Sequence, residues 1–473
     1  MRVLIVEDDP RNVAELRDTL VPCFAAGEIE ICQSRDSALQ ALQNGCFDLV
    51  VLDRKLPTSD GALDEDVSHG ETIYGYLKSE VPGVPIRFWT AFPDDDYYDR
   101  KMADVQQEDI WGTGEKPTVG LIPKSRFDRV KTTIAEVKAA LEALDTIELR
   151  QRFGKQVDLT DIERRIVKIF AKRQSGTAIE VSALSGGYSS AKVLRAAVFV
   201  GVHQTHLTVG KITTLKELSG ELRRFQQFSR LRPGAAPGIV CQVRAGAGLL
   251  GGTFYQLATG FDRSLFDVLA VNPQDGAKIG QAIRTLVQPW ANPSTQRSGP
   301  VKELRRAFVS DDTFAEIAES LKQLNLERFE ALEVTWMECD SHGDLHGENV
   351  LVNDTLTPIL IDFGEAGIWP AAADPLALEL SALFHRAGPL KKAGWPSADA
   401  AQHWFNAHDY LAACPYAPYV RACRDWAYDA APGNRALYAT AYAYLVRQFK
   451  YPDTDKDLAK ALIGAVISGY SAT

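Results

Sequence analysis

The sequence predicts a multidomain chain: an α/β doubly wound sheet first, then an α+β body in two parts. Three observations predict it. Residues 2–6 and 47–52 are continuous apolar runs that each lead into acidic residues, with helix-spaced apolar residues between them. Residues 177–260 read as β-rich with one helix near 215–231, and the text beyond 261 is mostly helical. The length, 473 residues, allows two to four full cores.

The first apolar runs, Arg-Val-Leu-Ile-Val and Phe-Asp-Leu-Val-Val-Leu, are rich in β-branched residues. Runs of this kind suit strands buried on both faces of a parallel sheet. Val13, Leu16 and Leu20, then Ala38, Leu39 and Leu42, recur at helical spacing between them. The β-α-β-α alternation implies an open doubly wound sheet, whose ligand chemistry gathers at the carboxyl ends of the strands. Asp8, Asp9 and Asp53 fall there. Three converging carboxylates make a hard-oxygen site for Mg²⁺. A carboxylate beside that metal can attack a phosphoryl group. Thr90 and Lys124, each following an apolar run, offer a hydroxyl and an ammonium for the phosphate oxygens.

From Phe127 to about residue 150 the pattern is helical, with Val130, Ile134, Val137, Leu141 and Leu144 stepping by four and three. This seam either packs on its own sheet or extends into a signalling or dimer helix. A second helical stretch, 159–172, ends at Gln-Ser-Gly-Thr, where a boundary is expected. The expected division is 1–128, a helical linker 129–174, a β-rich part 175–260 and a helical part 261–473. Residues 291–300 read as a loop by composition.

Leu184-Ser-Gly186-Gly187-Tyr-Ser189-Ser190 lies between two strand-like segments. Glycines there let backbone N–H groups approach phosphate oxygens, although Gly-Gly also marks any tight hairpin. Lys211 sits inside a strand-like run, where a buried ammonium needs a carboxylate. Glu217 and Glu221 are the candidates, and Glu221 is favoured because it lies on the helix and not in the turn. Further on, His342-Gly-Asp344-Leu-His346-x-x-Asn349 precedes Ile361-Asp362-Phe-Gly. This set offers one carboxylate to take a hydroxyl proton, and an Asn and an Asp to hold Mg²⁺ on ATP phosphates. His342 and His346 are spaced for zinc, but no Glu occupies the metalloprotease position.

The N-terminal arrangement, over about residues 1–128, resembles the receiver domain of two-component response regulators, a flavodoxin-like fold. The resemblance implies that Asp53 is the phosphoacceptor and that Asp8, Asp9 and Asp53 hold Mg²⁺. It makes Thr90 the switch hydroxyl and Lys124 the phosphate-binding lysine. It also implies a sensor histidine kinase as partner and a bacterial cytoplasm. Leu56-Pro57 and Asp60-Gly61 follow Asp53 at the family's usual offsets, whereas Ser125 stands where the family usually has Pro. An acidic insertion follows Gly61.

Residues 175–450 are similar to the aminoglycoside phosphotransferase and choline kinase-like group, within the two-lobed protein-kinase-like fold. By that similarity Asp344 is the catalytic base, and Asn349 and Asp362 are Mg²⁺ ligands. Lys211 holds the α and β phosphates with Glu221 as its partner, and Gly186, Gly187, Ser189 and Ser190 cover the ATP. His342 braces the loop. The expectation is a response regulator whose output transfers the γ-phosphate of ATP to a hydroxyl acceptor of unidentified class. The alternative is a nucleotide-binding scaffold with a receiver switch.

Composition bounds the remaining partners. Formal net charge is −10, which argues against a broad electrostatic grip on nucleic acid. No apolar run approaches the length of a membrane span. Seven scattered cysteines without CxxC spacing suit reduced thiols and a cytoplasmic setting. A homodimer through the receiver or the helical linker is the expected assembly.

Overall fold

The computed structural model describes residues 1–20, 24–25, 27–91, 107–152, 156–184, 191–231, 234, 236–257, 260–292 and 294–473. The chain divides into two compact units. One comprises Met1–Leu218 with Ile239–Gln256, the other Ser219–Gly238 with Leu257–Thr473.

The first unit begins with β1 (Val3–Val6), α1 (Pro10–Leu20), β2 (Ile29–Cys32), α2 (Arg35–Asn44), β3 (Leu49–Leu52), α3 (Val67–Glu80), β4 (Ile86–Thr90) and β5 (Val119–Pro123). The five strands run parallel in the order β2-β1-β3-β4-β5. This is the doubly wound order that places a switch point between β1 and β3. β1 and β3 are buried at every position, as their unbroken apolar runs require. The insertion after Gly61 leaves Leu63 fully exposed and ends at Asp66, which caps α3.

α4 (Phe127–Asp145) follows, and all five residues of its seam are buried against the sheet. The seam is therefore satisfied within this unit. The stretch read as a helical linker also contains a strand. Two residues after α4 comes β6 (Glu148–Gln151), then α5 (Asp161–Arg173). β6 pairs in parallel with β7 (Ala178–Ala183) and so belongs to the second sheet.

That sheet adds β8 (Lys192–Val200), β9 (His203–Thr214), β10 (Ile239–Val243) and β11 (Leu250–Gln256), in the order β10-β11-β9-β8-β7-β6. One apolar cluster runs through both sheets of this unit. It joins Val3, Trp89 and Ile134 to Trp111, Ile166, Phe170, Ala245 and Phe254. Phe170 stacks flat on Phe254, with ring centroids 3.8 Å apart. Arg165 on α5 pairs with the buried carboxylate of Asp48, just before β3. Arg173 donates to the carbonyls of Gln242 and Asp109. Gly246 has φ +83°, and a Cβ there would lie 2.9 Å from Trp111 Nε1. The 244–248 turn thus approaches Trp111, in the segment between β4 and β5, through its backbone.

The helix expected near 215–231 is α6 (Leu215–Leu231), which crosses the boundary between the two units. The second unit is mostly helical. Its helices include α7 (Gly276–Ala291), α8 (Ala373–Phe384), α9 (Ala417–Ala430), α10 (Asn434–Arg447) and α11 (Lys456–Ser471). Among its strands are β12 (Thr295–Pro300), β13 (Glu333–Ser341), β14 (Val350–Val352), β15 (Pro358–Leu360) and β16 (Gly367–Pro370). Residues 291–300 depart from the loop expectation, because β12 pairs with β13 from Thr295↔Glu338 to Pro300↔Glu333. β12 is an exposed strand of Thr, Gln, Arg, Ser and Gly, so it lacks the apolar alternation that marks a strand in sequence. Trp290, Trp336, Trp404 and Trp426 are core residues. Among the described residues the cysteines are free thiols.

Candidate functional site

The first candidate site lies at the carboxyl ends of β1, β3, β4 and β5. The chain leaves β1 at Val6, and the next side chain, Glu7, turns fully inward. Carboxylate oxygens of Glu7, Asp8 and Asp53 lie within 4.8 Å of one another. Lys124 Nζ donates to Asp53 Oδ2 at 2.7 Å and to Glu7 Oε1 at 3.0 Å. Thr90 is buried beside them, and all five residues line one cleft of about 750 Å³. Burial and then the charge of Asp53 raise the Glu7 pKa, and burial raises that of Asp8. Burial alone would lower Lys124, but Asp53 and Glu7 outweigh it and hold the ammonium above its usual value.

The expected metal set therefore needs a correction. Asp8 and Asp53 are together as expected, but Glu7 takes the place assigned to Asp9. Asp9 instead caps α1, accepting from Arg11 N at 2.8 Å and pairing with the Arg11 guanidinium at 3.1 Å. Arg11 holds its carboxyl below the usual range. The signal was in the sequence: Asp9-Pro10 is a helix N-cap followed by proline at the first helical position. The all-oxygen donor set, crowded enough to raise two carboxyls, suits a hard divalent cation.

The second candidate site belongs to the second unit. β13 ends at Ser341, and the chain turns through His342-Gly343-Asp344. Asp374, fully buried at the start of α8, accepts from His342 N at 2.8 Å and Gly343 N at 3.0 Å. Gly343 has φ +77°, and a Cβ there would collide with Trp369 and with the Glu365 carbonyl. Only glycine fits that turn. His342 Nε2 lies 3.0 Å from the Ile361 carbonyl, so this ring braces the loop as expected. Asn349 Nδ2 donates to the Asp344 carbonyl at 2.8 Å, which leaves its amide oxygen for a cation. The antiparallel pair β14–β15 brings the 349 and 362 ends together, and Ile361 N donates to Asn349 O at 3.0 Å.

Asp362 is held in the left-handed region at φ +63°, a strained backbone for a residue with a Cβ. Phe363 anchors it inside an aromatic cluster of Phe225, Phe228, Trp290 and His342. The Asp344 carboxylate is met by Arg447 Nη2 at 3.2 Å on Oδ1 and by His346 Nε2 at 3.7 Å on Oδ2. Sequence reasoning missed Arg447, which stands about a hundred residues downstream and outside any motif. His346 stacks on His385 with ring centroids 5.0 Å apart.

Lys211 is buried in the middle of β9, between Val193 and Thr253. Glu221 is buried on α6. Glu217, the other candidate partner, accepts from the hydroxyls of Thr213 and Thr214 at the start of α6, where Thr214 Oγ1 caps the helix by accepting from Glu217 N. Gly186, Gly187, Ser189 and Ser190 lie outside the described residues. The strands on either side of them, β7 and β8, form an antiparallel pair.

Residues 180–390 match the Phosphotransferase enzyme family (APH). No curated protein sequence matches the chain significantly. Among solved structures, it is similar to a thermostable variant of the aminoglycoside phosphotransferase APH(4)-Ia in complex with ADP and hygromycin B. The identity is 13%, covering 63% of this chain and 97% of that one, with a TM-score of 0.36. For the aminoglycoside-3'-phosphotransferase of type VIII the values are 14%, 64% and 97%, with a TM-score of 0.32. The response regulator TrrA of Thermotoga maritima, solved with Mg²⁺-BeF, is 20% identical over 29% of this chain and 99% of that one, with a TM-score of 0.20. No helix among the described residues is long and apolar enough to cross a membrane. The family match spans the braced loop at 342–349 and the Asp362 turn, so this part of the chain is similar to a phosphotransferase domain.

Proposed function

We propose that the chain transfers the γ-phosphate of ATP to a hydroxyl acceptor, under the control of a phosphate-operated receiver formed by its N-terminal sheet. The observation that carries the transfer reaction is the Asp344 loop. Its backbone is fixed by Asp374, and its carboxylate stays 36% exposed, open to an acceptor. In this reading Asp344 orients the acceptor hydroxyl. The hydroxyl oxygen bonds to the γ-phosphorus as the bond from that phosphorus to ADP breaks, and the hydroxyl proton passes to Asp344. Lys211 would take the α and β phosphates. Asn349 and Asp362 would hold Mg²⁺, which when bound neutralises charge on the phosphates. Catalysis then rests mainly on positioning.

For the receiver, the supporting observation is the convergence of Glu7, Asp8, Asp53, Thr90 and Lys124 on one cleft. Asp53 would accept a phosphoryl group from a sensor histidine kinase, and the P–N bond of the donor phosphohistidine breaks as the Asp53 O–P bond forms. Glu7 and Asp8, with Asp53, would hold Mg²⁺. The apolar cluster shared by the two sheets of the first unit, and the two-residue link from α4 to β6, offer a stiff route from this cleft to the β-rich sheet.

The test is catalytic. Purified protein with ATP–Mg²⁺ turns over nucleotide, and Asp344→Ala loses this by about 100- to 10,000-fold while ATP still raises the melting temperature. Turnover unchanged in Asp344→Ala sinks the enzyme reading in favour of a scaffold. Beryllofluoride changes turnover in the wild type and not in Asp53→Asn, and no response in either defeats receiver control.

A further inference from the structure

We propose that Arg447 is a positioning residue for phosphoryl transfer, the group that holds the Asp344 carboxylate in its working orientation. The inference rests on the phosphotransferase reading and adds a residue that the family match, ending at 390, does not contain.

The geometry is specific to a guanidinium. Nη2 donates to Asp344 Oδ1 at 3.2 Å, and Nη1 donates to the Gly343 carbonyl at 3.3 Å. One planar fork thus bonds the side chain of Asp344 and the backbone just before it. Asp374 accepts the N–H groups of residues 342 and 343 at the same turn. The turn is therefore gripped by an anion on its donors and by a cation on its acceptors.

Arg447 is itself well fixed. Its side chain is 11% exposed, whereas that of Asp344 is 36% exposed. It ends α10, whose residues from Ala436 to Val446 are all buried, so its backbone is anchored in the core. A half-open aspartate without such a partner samples several rotamers, and only some point at an acceptor. Holding it in one costs the active site nothing at the moment of reaction. Lysine offers a point charge on a flexible stem and cannot make both bonds in one plane.

The experiment compares Arg447→Met, Arg447→Lys and Arg447→Ala with wild type in ATP–Mg²⁺ turnover, alongside melting temperature. A positioning role predicts that Arg447→Met lowers kcat by about 30-fold while KM for ATP stays within about twofold, because ATP binding does not use this bond. Arg447→Lys recovers part of kcat, and millimolar guanidinium restores turnover to Arg447→Ala. The lysine variant keeps the charge and serves as the folded comparison if the shorter side chains destabilise α10. A kcat in folded Arg447→Met equal to wild type overturns the inference. So does a loss that lysine and guanidinium leave unrepaired, or one matched by an equal rise in KM. If wild type itself lacks turnover, the phosphotransferase reading falls first and this inference with it. A working wild type beside an unaffected Arg447→Met condemns the inference alone.

Discussion

The two candidate sites use carboxylates in opposite ways. At the ends of β1 and β3, Glu7, Asp8 and Asp53 crowd within 4.8 Å, and Lys124 bonds to two of them. Around the 342–374 turn each carboxylate has its own grip: Asp374 takes two backbone N–H groups, and Asp344 takes Arg447. The first arrangement stores repulsion that a cation relieves, which suits a site that changes state. The second is complete without a ligand, which suits a site that must be in register when substrate arrives. Removing a carboxylate should therefore have opposite signs at the two places.

The largest effect is expected at Asp374. Asp374→Ala strands the N–H groups of His342 and Gly343 in a buried turn, at about 1–3 kcal/mol each. Urea denaturation should show a loss of about 2–5 kcal/mol, and turnover should fall with it. A variant as stable as wild type would mean that the turn is held by other bonds, and the contrast would collapse. Glu7→Gln should move the other way. Glutamine keeps an oxygen for Asn12 and Lys124 but removes a buried charge facing Asp53. In metal-free buffer the variant should be more stable by about 1 kcal/mol, and the rise in melting temperature that Mg²⁺ gives to wild type should shrink. Destabilisation in metal-free buffer would show that the three acids are not in conflict.

These sites were unequally legible in the sequence. The 342–362 motif fixed its residues because short strands with little freedom separate them, and β14 and β15 fall where the apolar triplets predict. The N-terminal set was displaced by one residue. Three consecutive acids after an apolar run do not say which one turns inward, and only the proline after Asp9 marks that residue as a cap. Arg447 was not legible, because its partner lies 103 positions away and no spacing rule joins them. Glu217 and Glu221 could be ranked but not separated from the sequence, and Glu217, besides accepting from Thr213 and Thr214, also feels the Lys211 charge. The strand β6 was hidden because Glu-Leu-Arg-Gln has no strand signature, and its pairing with β7 is a tertiary choice.

The comparison sharpens further with pH, because Glu7 and Asp8 at the first site and His385 near the second respond to protons in opposite directions. Glu7 and Asp8 have folded pKa values above their ordinary ones, so the folded state takes up protons more readily there and gains stability as pH falls. In the second unit His385 is buried, and burial, then His346 and Arg386, push its pKa down to about 3, with Asp344 opposing and Lys391 adding a little. An unfolded histidine titrates near 6.5, so between about pH 6.5 and 3 the unfolded chain binds the proton that the folded chain refuses. The contribution of neutral His385 is thus fully present above pH 6.5 and drains away below it. By pH 5.5 the loss is about 1 kcal/mol. His385→Asn keeps an acceptor for Ala387 N, which now bonds His385 Nδ1 at 3.1 Å, and removes the titration. Stability measured by denaturation at pH 7.5 and 5.5 should fall more steeply in wild type than in this variant, by about that amount. Parallel pH profiles would place the proton uptake elsewhere and leave the His346–His385 stack without a role in acid sensitivity.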